Sequence, residues 1–474
     1  MSAYDGRPDR RGRERADNRE PSPPDAAPAA APHFLPCGTD VGRLGAGGRQ
    51  DVLRLDAPFV TESGEAIAGA ELAYRTWGRL SNAADNAVVV CHALTGSSDL
   101  EAWWPALLGQ GRALDPDRDF VIAVDALGSV HGSTGPASLA ADGEPWGRRF
   151  PRLSVRDLVR SQRLVLDALG VRGVALVLGG SLGGMQALEW ALLDARVRAV
   201  AVVAAPARHE AWAMGWSAAQ RQALAADPAW EREPFEARAG LAAARAIAML
   251  SYRAPAGFDE RFGRRRGDRH DYAVADWLAH HGEALVRRFD PLSYAVLLDA
   301  MDSHDIGRSR GGVGPALASL RVPLLAVAIE SDQLYPVDEV EQLVQGAPLA
   351  EQDQLRSPHG HDAFLIDQRV VESIVRRFRE RLMRRERERA AAPVPRALHD
   401  PGAHEDHGPT TNGEAVLVRR LRTSGLSAAA PRPHLRTGVT TSPRAEALAR
   451  AVHAHDARAR LAQWPAYRAA GGAA

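Results

Sequence analysis

The chain has 474 residues, enough for one large α/β domain with extensions or for two to three smaller domains. Basic and acidic residues both number 59, so bulk charge gives no reason to bind nucleic acid or another polyanion. Every one of those bases is arginine, and a chain without lysine can neither form a lysine Schiff base nor supply a phosphate-loop lysine.

In chain order, residues 1–48 mix Arg, Asp, Pro and Ala without hydrophobic periodicity and are expected to be disordered. Their first twenty residues carry charges of both signs where a secretion signal needs an apolar stretch. No apolar run anywhere approaches the roughly 18 residues of a membrane helix, so a cytoplasmic protein is expected. Cys37 and Cys91 are too few for a disulfide framework or a cysteine-rich zinc site, and no metal is expected.

From Asp51 the texture changes. Segments 52–60 and 66–74 alternate polar and apolar residues and predict an antiparallel hairpin at a sheet edge. Short Val-rich runs follow at 87–93 (AVVVCHA), 119–127 (DFVIAVDAL), 174–179 (VALVLG), 197–204 (VRAVAVVA) and 322–329 (VPLLAVAI), reading as strands buried on both faces of a parallel sheet. Helical patterns at 155–169 and 182–193 alternate with them, so the fold class is α/β, a doubly wound and mostly parallel sheet. Over 208–310 the strand signal stops and Ala, Arg and Trp predominate. That segment predicts a helical lid inserted over the carboxyl ends of the strands, where open α/β sheets bind ligands. A charged amphipathic helix over 370–390 closes the core, assigned to 49–207 and 311–390. The low-complexity tail, 391–474, is expected to be disordered.

The strand at 174–179 runs into Gly179-Gly180-Ser181-Leu182-Gly183 and then into a helix. This is G-x-S-x-G in its required context, a sharp turn that lifts a serine above the sheet at a helix N-terminus. A serine hydroxyl needs a base to take its proton and a third group to hold that base, in the order Ser, acid, His. Asp332 follows the run 322–329 at the position such an acid takes, ahead of Glu330 and Asp338. In Ser357-Pro358-His359-Gly360-His361 both histidines meet the order and loop requirements. An oxyanion hole requires backbone N–H groups from Leu182 and from the loop Cys91-His92-Ala93-Leu94-Thr95-Gly96.

The segments YRTWGRLSNAADNAVVVCHALTGSSD, DRDFVIAVDALG with GSTGPAS after it, LGGSLGGMQALEWAL, ESDQLYP and HGHDAFL resemble the homoserine O-acetyltransferase family of the α/β-hydrolase superfamily, from about Leu53 to Arg379. The resemblance implies Ser181 as nucleophile, Asp332 as acid and His361 rather than His359 as base, with Leu94 and Leu182 giving the oxyanion N–H groups. It further implies Arg221 and Asp362 as contacts to a zwitterionic amino acid, a cation for its carboxylate and an anion for its ammonium. Without it, an arginine on a solvated helix and an aspartate capping the last helix are the simpler readings. The implied reaction moves an acetyl group from acetyl-CoA, a co-substrate rather than a bound cofactor, to L-homoserine through an acyl-serine, in methionine biosynthesis. A succinyl donor, a serine acceptor and an esterase on the same scaffold are the alternatives. The implied partners are these small molecules and a second copy of the chain, with neither nucleic acid nor membrane. Leu182 stands where methionine is usual, 126–132 lacks the family's GGCYG pattern, and Met214-Gly215-Trp216-Ser217 replaces a more usual segment.

Overall fold

A computed structural model describes residues 48–391; apart from Gly48 and Ala391, the expectations for 1–48 and 391–474 lie outside the described residues. The strands are β1 (Arg49–Arg54), β2 (Phe59–Val60), β3 (Ala66–Ile67), β4 (Glu71–Trp77), β5 (Ala87–Cys91), β6 (Phe120–Val124), β7 (Val174–Gly180), β8 (Val200–Val203), β9 (Leu324–Ile329) and β10 (Ala350–Leu355). Eight of them form one sheet in the order β1-β4-β6-β5-β7-β8-β9-β10. All neighbours from β6 to β10 run parallel, while β4 is antiparallel to both β1 and β6.

The expected edge hairpin forms differently. β1 pairs with β4 from Arg49↔Thr76 to Arg54↔Glu71, and β2 and β3 make a separate two-stranded ribbon. Its turn is closed by Thr61 N donating to Glu65 O at 2.9 Å, with Gly64 at φ 87°. Gly64 takes the left-handed conformation that a side chain disfavours.

Alternation along the central strands builds two cores. Val89, Ile122, Val177, Val202 and Ala326 face one side of the sheet; Val88, Val121, Leu178, Val203 and Val327 face the other. The first side is covered by α2 (Val155–Ala168), α3 (Leu182–Leu193) and α10 (Val337–Gly346), through Leu158, Leu188 and Val340. The second is covered by α1 (Leu100–Trp103) and α12 (Gln368–Ala391), through Leu100, Val371, Ile374 and Phe378. Each such buried side chain contributes about 1.5–3 kcal/mol relative to exposure. Ser154 starts α2 with a capping box, its hydroxyl accepting from Asp157 N while the Asp157 carboxylate accepts from Ser154 N.

Between β8 and β9 the chain builds α4 (Ala211–Ala225), α5 (Arg238–Ser251), α6 (Pro255–Arg261), α7 (Ala273–Val286), α8 (Pro291–Asp302) and α9 (Val313–Ser319). The excursion leaves and returns through adjacent backbone. His209 N donates to His304 O at 2.9 Å and Ile306 N to Ala207 O at 3.1 Å, with Arg208 bridging Asp305 antiparallel. Beside this neck, Glu189 of α3 is buried and binds Arg156 at 3.1 Å and Arg310 at 2.7 Å. A carboxylate held between two guanidiniums is a costly group to leave unpaired, so this pairing ties the returning chain to α3. Among the described residues no helix is long and apolar enough to cross a membrane.

Because β5, β7, β9 and β10 run parallel, the loops after them emerge along one edge of the sheet. Those loops carry Leu94, Ser181, Asp332 and His361.

Candidate active site

Ser181 joins β7 to α3 at φ 56° and ψ −126°. A non-glycine residue is strained in this region and holds there only when its surroundings compel it. The two motif glycines show what compels it. A Cβ on Gly179 would lie 2.2 Å from the Gly183 backbone, and one on Gly183 would lie 2.1 Å from Cys91 O. The helix start is therefore pressed against both its own strand and the end of β5, with no room for a side chain at either glycine. Ser181 N is fixed to Val203 O at 2.9 Å, and Ser181 O accepts from Gly184 N at 2.8 Å.

Asp332 sits just past β9. Its Oδ1 accepts from Leu334 N at 2.8 Å and Tyr335 N at 3.0 Å, which leaves Oδ2 to take the His361 Nδ1 proton at 2.6 Å. That bond fixes the tautomer, so Nε2 presents its lone pair. Nε2 is buried and has no hydrogen-bond partner among the described residues, so Ser181 Oγ is not bonded to it here. Such contacts often tighten only with substrate in place. Phe364 links the two sides: its ring centroid is 5.6 Å from that of His361, and its Cε2 is 2.7 Å from where a Gly180 Cβ would be. Tyr335 and Tyr252 complete the aromatic collar, with centroids 5.2 and 5.7 Å from His361. Burial is the largest single influence and works against an imidazolium in this collar, but the Asp332 charge and hydrogen bond, with the Asp362 charge, together outweigh it and raise the His361 pKa above 6.5. Of the two candidate histidines, His361 takes the Asp332 bond; His359 lies on a half-buried stretch lining a neighbouring pocket.

The loop after β5 is pinned from several directions. His92 is buried, its Nδ1 2.8 Å from Ala93 O while Nε2 accepts from Ala126 N at 2.9 Å, an arrangement that needs the neutral ring. Burial lowers the His92 pKa accordingly. Gln186 of α3 donates to His92 O at 3.3 Å, and Arg288 donates to Thr95 O at 2.7 Å. Ser98 donates through N and Oγ to Asp125, at 2.5 and 2.9 Å. Leu94 and Leu182 are both buried, and Leu182 N belongs to the first turn of α3, whose amides have no partner within the helix. In the departing segment 126–132, Ser129 Oγ and His131 Nε2 are buried without partners among the described residues. His131 packs edge-on to Phe289, and burial, with His92 and Arg288 nearby, pushes its pKa down to about 3.

The structure does not bring Arg221 to Asp362. The Arg221 guanidinium is held by Asp302 and, at 3.3 Å, by Asp299. Asp302 in turn lies 3.3 Å from His209 Nε2, and His209 Nδ1 is 3.2 Å from the Tyr335 hydroxyl. Two carboxylates of α8 thus occupy this cation. Asp362 instead meets Arg253 at 3.1 Å. Burial raises the Asp362 pKa, against the pull of Arg253, Arg245 and His361. Arg245, which sequence reasoning missed, lies over the Tyr252 ring at 5.5 Å and forms no salt bridge among the described residues. Its signal was present: Arg245 and Tyr252 are seven apart, two turns of helix, and so share one face of the α5 region.

A family model described as "alpha/beta hydrolase fold" matches residues 86–368. The chain is 47% identical over 338 residues to a homoserine O-acetyltransferase of Trichormus variabilis, covering 69% of this chain and 93% of that one. Among solved structures, a homoserine O-acetyltransferase of Staphylococcus aureus superposes with TM-score 0.59 at 29% identity, over 70% of this chain and 95% of that one. Esterase E22 superposes with TM-score 0.65 at 23% identity, over 70% of this chain and all (100%) of that one, a likeness of fold alone. The family-model match reaches across the elbow, the loop after β5 and the Asp332–His361 pair, and the chain belongs to the homoserine O-acetyltransferase family of the α/β-hydrolase fold.

Proposed function

We propose that the chain transfers an acetyl group from acetyl-CoA to the hydroxyl of L-homoserine through an acyl-Ser181 intermediate. The observation that carries this reading is the buried Asp332–His361 bond beside a strained serine elbow, in a chain so similar to homoserine O-acetyltransferases.

His361 Nε2 takes the Ser181 Oγ proton as Oγ attacks the thioester carbonyl. The carbonyl oxygen, now negative, is met by the Leu94 and Leu182 amides. The C–S bond breaks and the CoA sulfur leaves with the proton from His361. Homoserine then gives its hydroxyl proton to His361, its oxygen attacks the acyl carbon, and Ser181 departs with that proton. Asp332 holds the ring's tautomer throughout and offsets its transient charge. Asp362, which also meets Arg253, supplies the anion for the amino acid's ammonium, and Arg245, which forms no salt bridge among the described residues, supplies the cation for its carboxylate in place of Arg221, held by Asp302 and Asp299. Water competes with homoserine for the acyl-enzyme, and the helical excursion over the elbow restricts its access.

Initial rates with both substrates varied are expected to give parallel lines; converging lines would exclude a free acyl-enzyme. CoA release that is fast and indifferent to homoserine would assign the chain to hydrolysis instead. Offering acetyl- and succinyl-CoA with homoserine and serine together, and weighing the product, fixes donor and acceptor. A second copy of the chain is proposed to pair through α4, where Trp212 and Met214 stand exposed and Trp212 meets Trp216 edge-on. Sedimentation would show a dimer that a Trp212→Glu variant loses. The compartment proposed for this biosynthetic step is the cytoplasm.

A further inference from the structure

A pocket of about 550 Å³ opens between α6, α7 and the loop that carries His361. It is more spacious than a small amino acid needs, and falls in the range of sites for larger organic ligands. Its wall touches the candidate active site through one of its residues. Arg253, on that wall, reaches Asp362, the residue after His361, at 3.1 Å. A Cβ on Gly360 would lie 2.6 Å from Ala254 N, and one on Gly257 would lie 2.7 Å from Pro358 O. The start of α6 is thus seated on the His361 loop.

The lining has two chemistries. Phe258, Phe262 and Trp277 form an aromatic floor, with ring centroids 5.4 to 5.6 Å apart. Over it stand two guanidiniums, Arg253 at 5.5 Å and Arg261 at 5.7 Å from the Trp277 centroid. Arg253 has its carboxylate in Asp362. Arg261 is exposed and forms no salt bridge among the described residues, although Glu260 also lines the pocket. Arginine is suited to phosphate by its planar set of donors, and aromatic faces accept any nucleobase.

We infer that this pocket docks the phosphate-bearing nucleotide end of the CoA thioester, with Arg261 on a phosphate and the aromatic floor under the base. The inference rests on the reading of the chain as a CoA-dependent acyltransferase. It gives the donor a seat outside the elbow, from which its flexible arm carries the thioester inward while the amino-acid contacts stay with Arg245 and Asp362.

The test compares acetyl-CoA with S-acetyl-N-acetylcysteamine, a thioester without nucleotide, in the full chain and in Arg261→Gln and Arg261→Glu. Loss of one charge-assisted contact is expected to raise KM for acetyl-CoA by about tenfold in Arg261→Gln and further in Arg261→Glu. KM for the truncated thioester and for homoserine is expected to stay within twofold. Adenosine 3′,5′-bisphosphate is expected to compete with acetyl-CoA in the parent chain and to lose that effect in Arg261→Glu. An acetyl-CoA KM unchanged in both variants, or one rising equally for the two thioesters, overturns the docking site. A parent chain that releases no CoA in the presence of homoserine overturns the underlying reading instead, and the inference with it.

Discussion

His361 Nδ1 lies 2.6 Å from Asp332 Oδ2, with the two side chains only 3% and 0% exposed. A bond this short and dry fixes both the ring's orientation and its tautomer. Asp332→Asn keeps the shape but favours the wrong tautomer. We expect kcat to fall by about 10³–10⁴-fold with the thermal midpoint little changed, measured by CoA release and calorimetry. A loss under tenfold would mean that this pair does not carry the proton transfers.

The same pair sets a pH dependence. His361 must be neutral to act as base, and although burial lowers its pKa most of any single influence, the Asp332 charge and hydrogen bond together with Asp362 hold it above 6.5. Activity is therefore lost as pH falls through that raised value, and the acidic limb of kcat/KM lies above 6.5. The Asp362 charge raises it in the same sense. Asp362→Asn is expected to move the limb to lower pH while raising KM for homoserine. A limb that stays in place would show that Asp362 does not act on the ring.

Arg245 and Arg221 make opposite predictions. Arg245→Ala removes the cation proposed for the substrate carboxylate, and KM for homoserine is expected to rise about tenfold or more with the fold intact. Arg221→Ala leaves Asp302 and Asp299 facing one another and removes a partly exposed brace. It is expected to cost about 1 kcal/mol of stability and to leave KM for homoserine within twofold. The reverse pattern in steady-state kinetics would return the substrate contact to Arg221.

Gly183→Ala places a methyl 2.1 Å from Cys91 O. Backbone on both sides prevents an easy retreat, so roughly 3 kcal/mol or more of destabilisation is expected in urea titration, with activity lost. Gly215→Ala is the control: nothing lies within 4 Å of its added Cβ, and little change is expected.

How legible these features were depended on how much each one relies on its neighbours in sequence. The central strands were readable because burial on both faces leaves continuous apolar runs such as LLAVAI. The polar strand β10, AEQDQL, was not: it lies at the sheet edge, half exposed, and pairs only with β9. Elbow, acid and histidine were readable because strand ends and loops announce themselves locally. The choice of His361 over His359 rested on resemblance, for it depends on which ring reaches Asp332 across the fold. Arg221 was named and Arg245 passed over for a related reason, since whether carboxylates from α8 already occupy a guanidinium is decided across the fold.

The neck at His209 and His304 has a consequence for divergence. An insertion whose two ends already share a backbone hydrogen bond can be exchanged as one cassette, with no strand re-registered and no catalytic loop re-cut. A chimera joined at Ala207 and Ile306 would leave Ser181, Asp332, His361 and Asp362 to one parent and take Arg245 and the α6–α7 pocket wall from the other. New acceptors are thus within reach by recombination, where point mutation would have to rebuild the cover residue by residue.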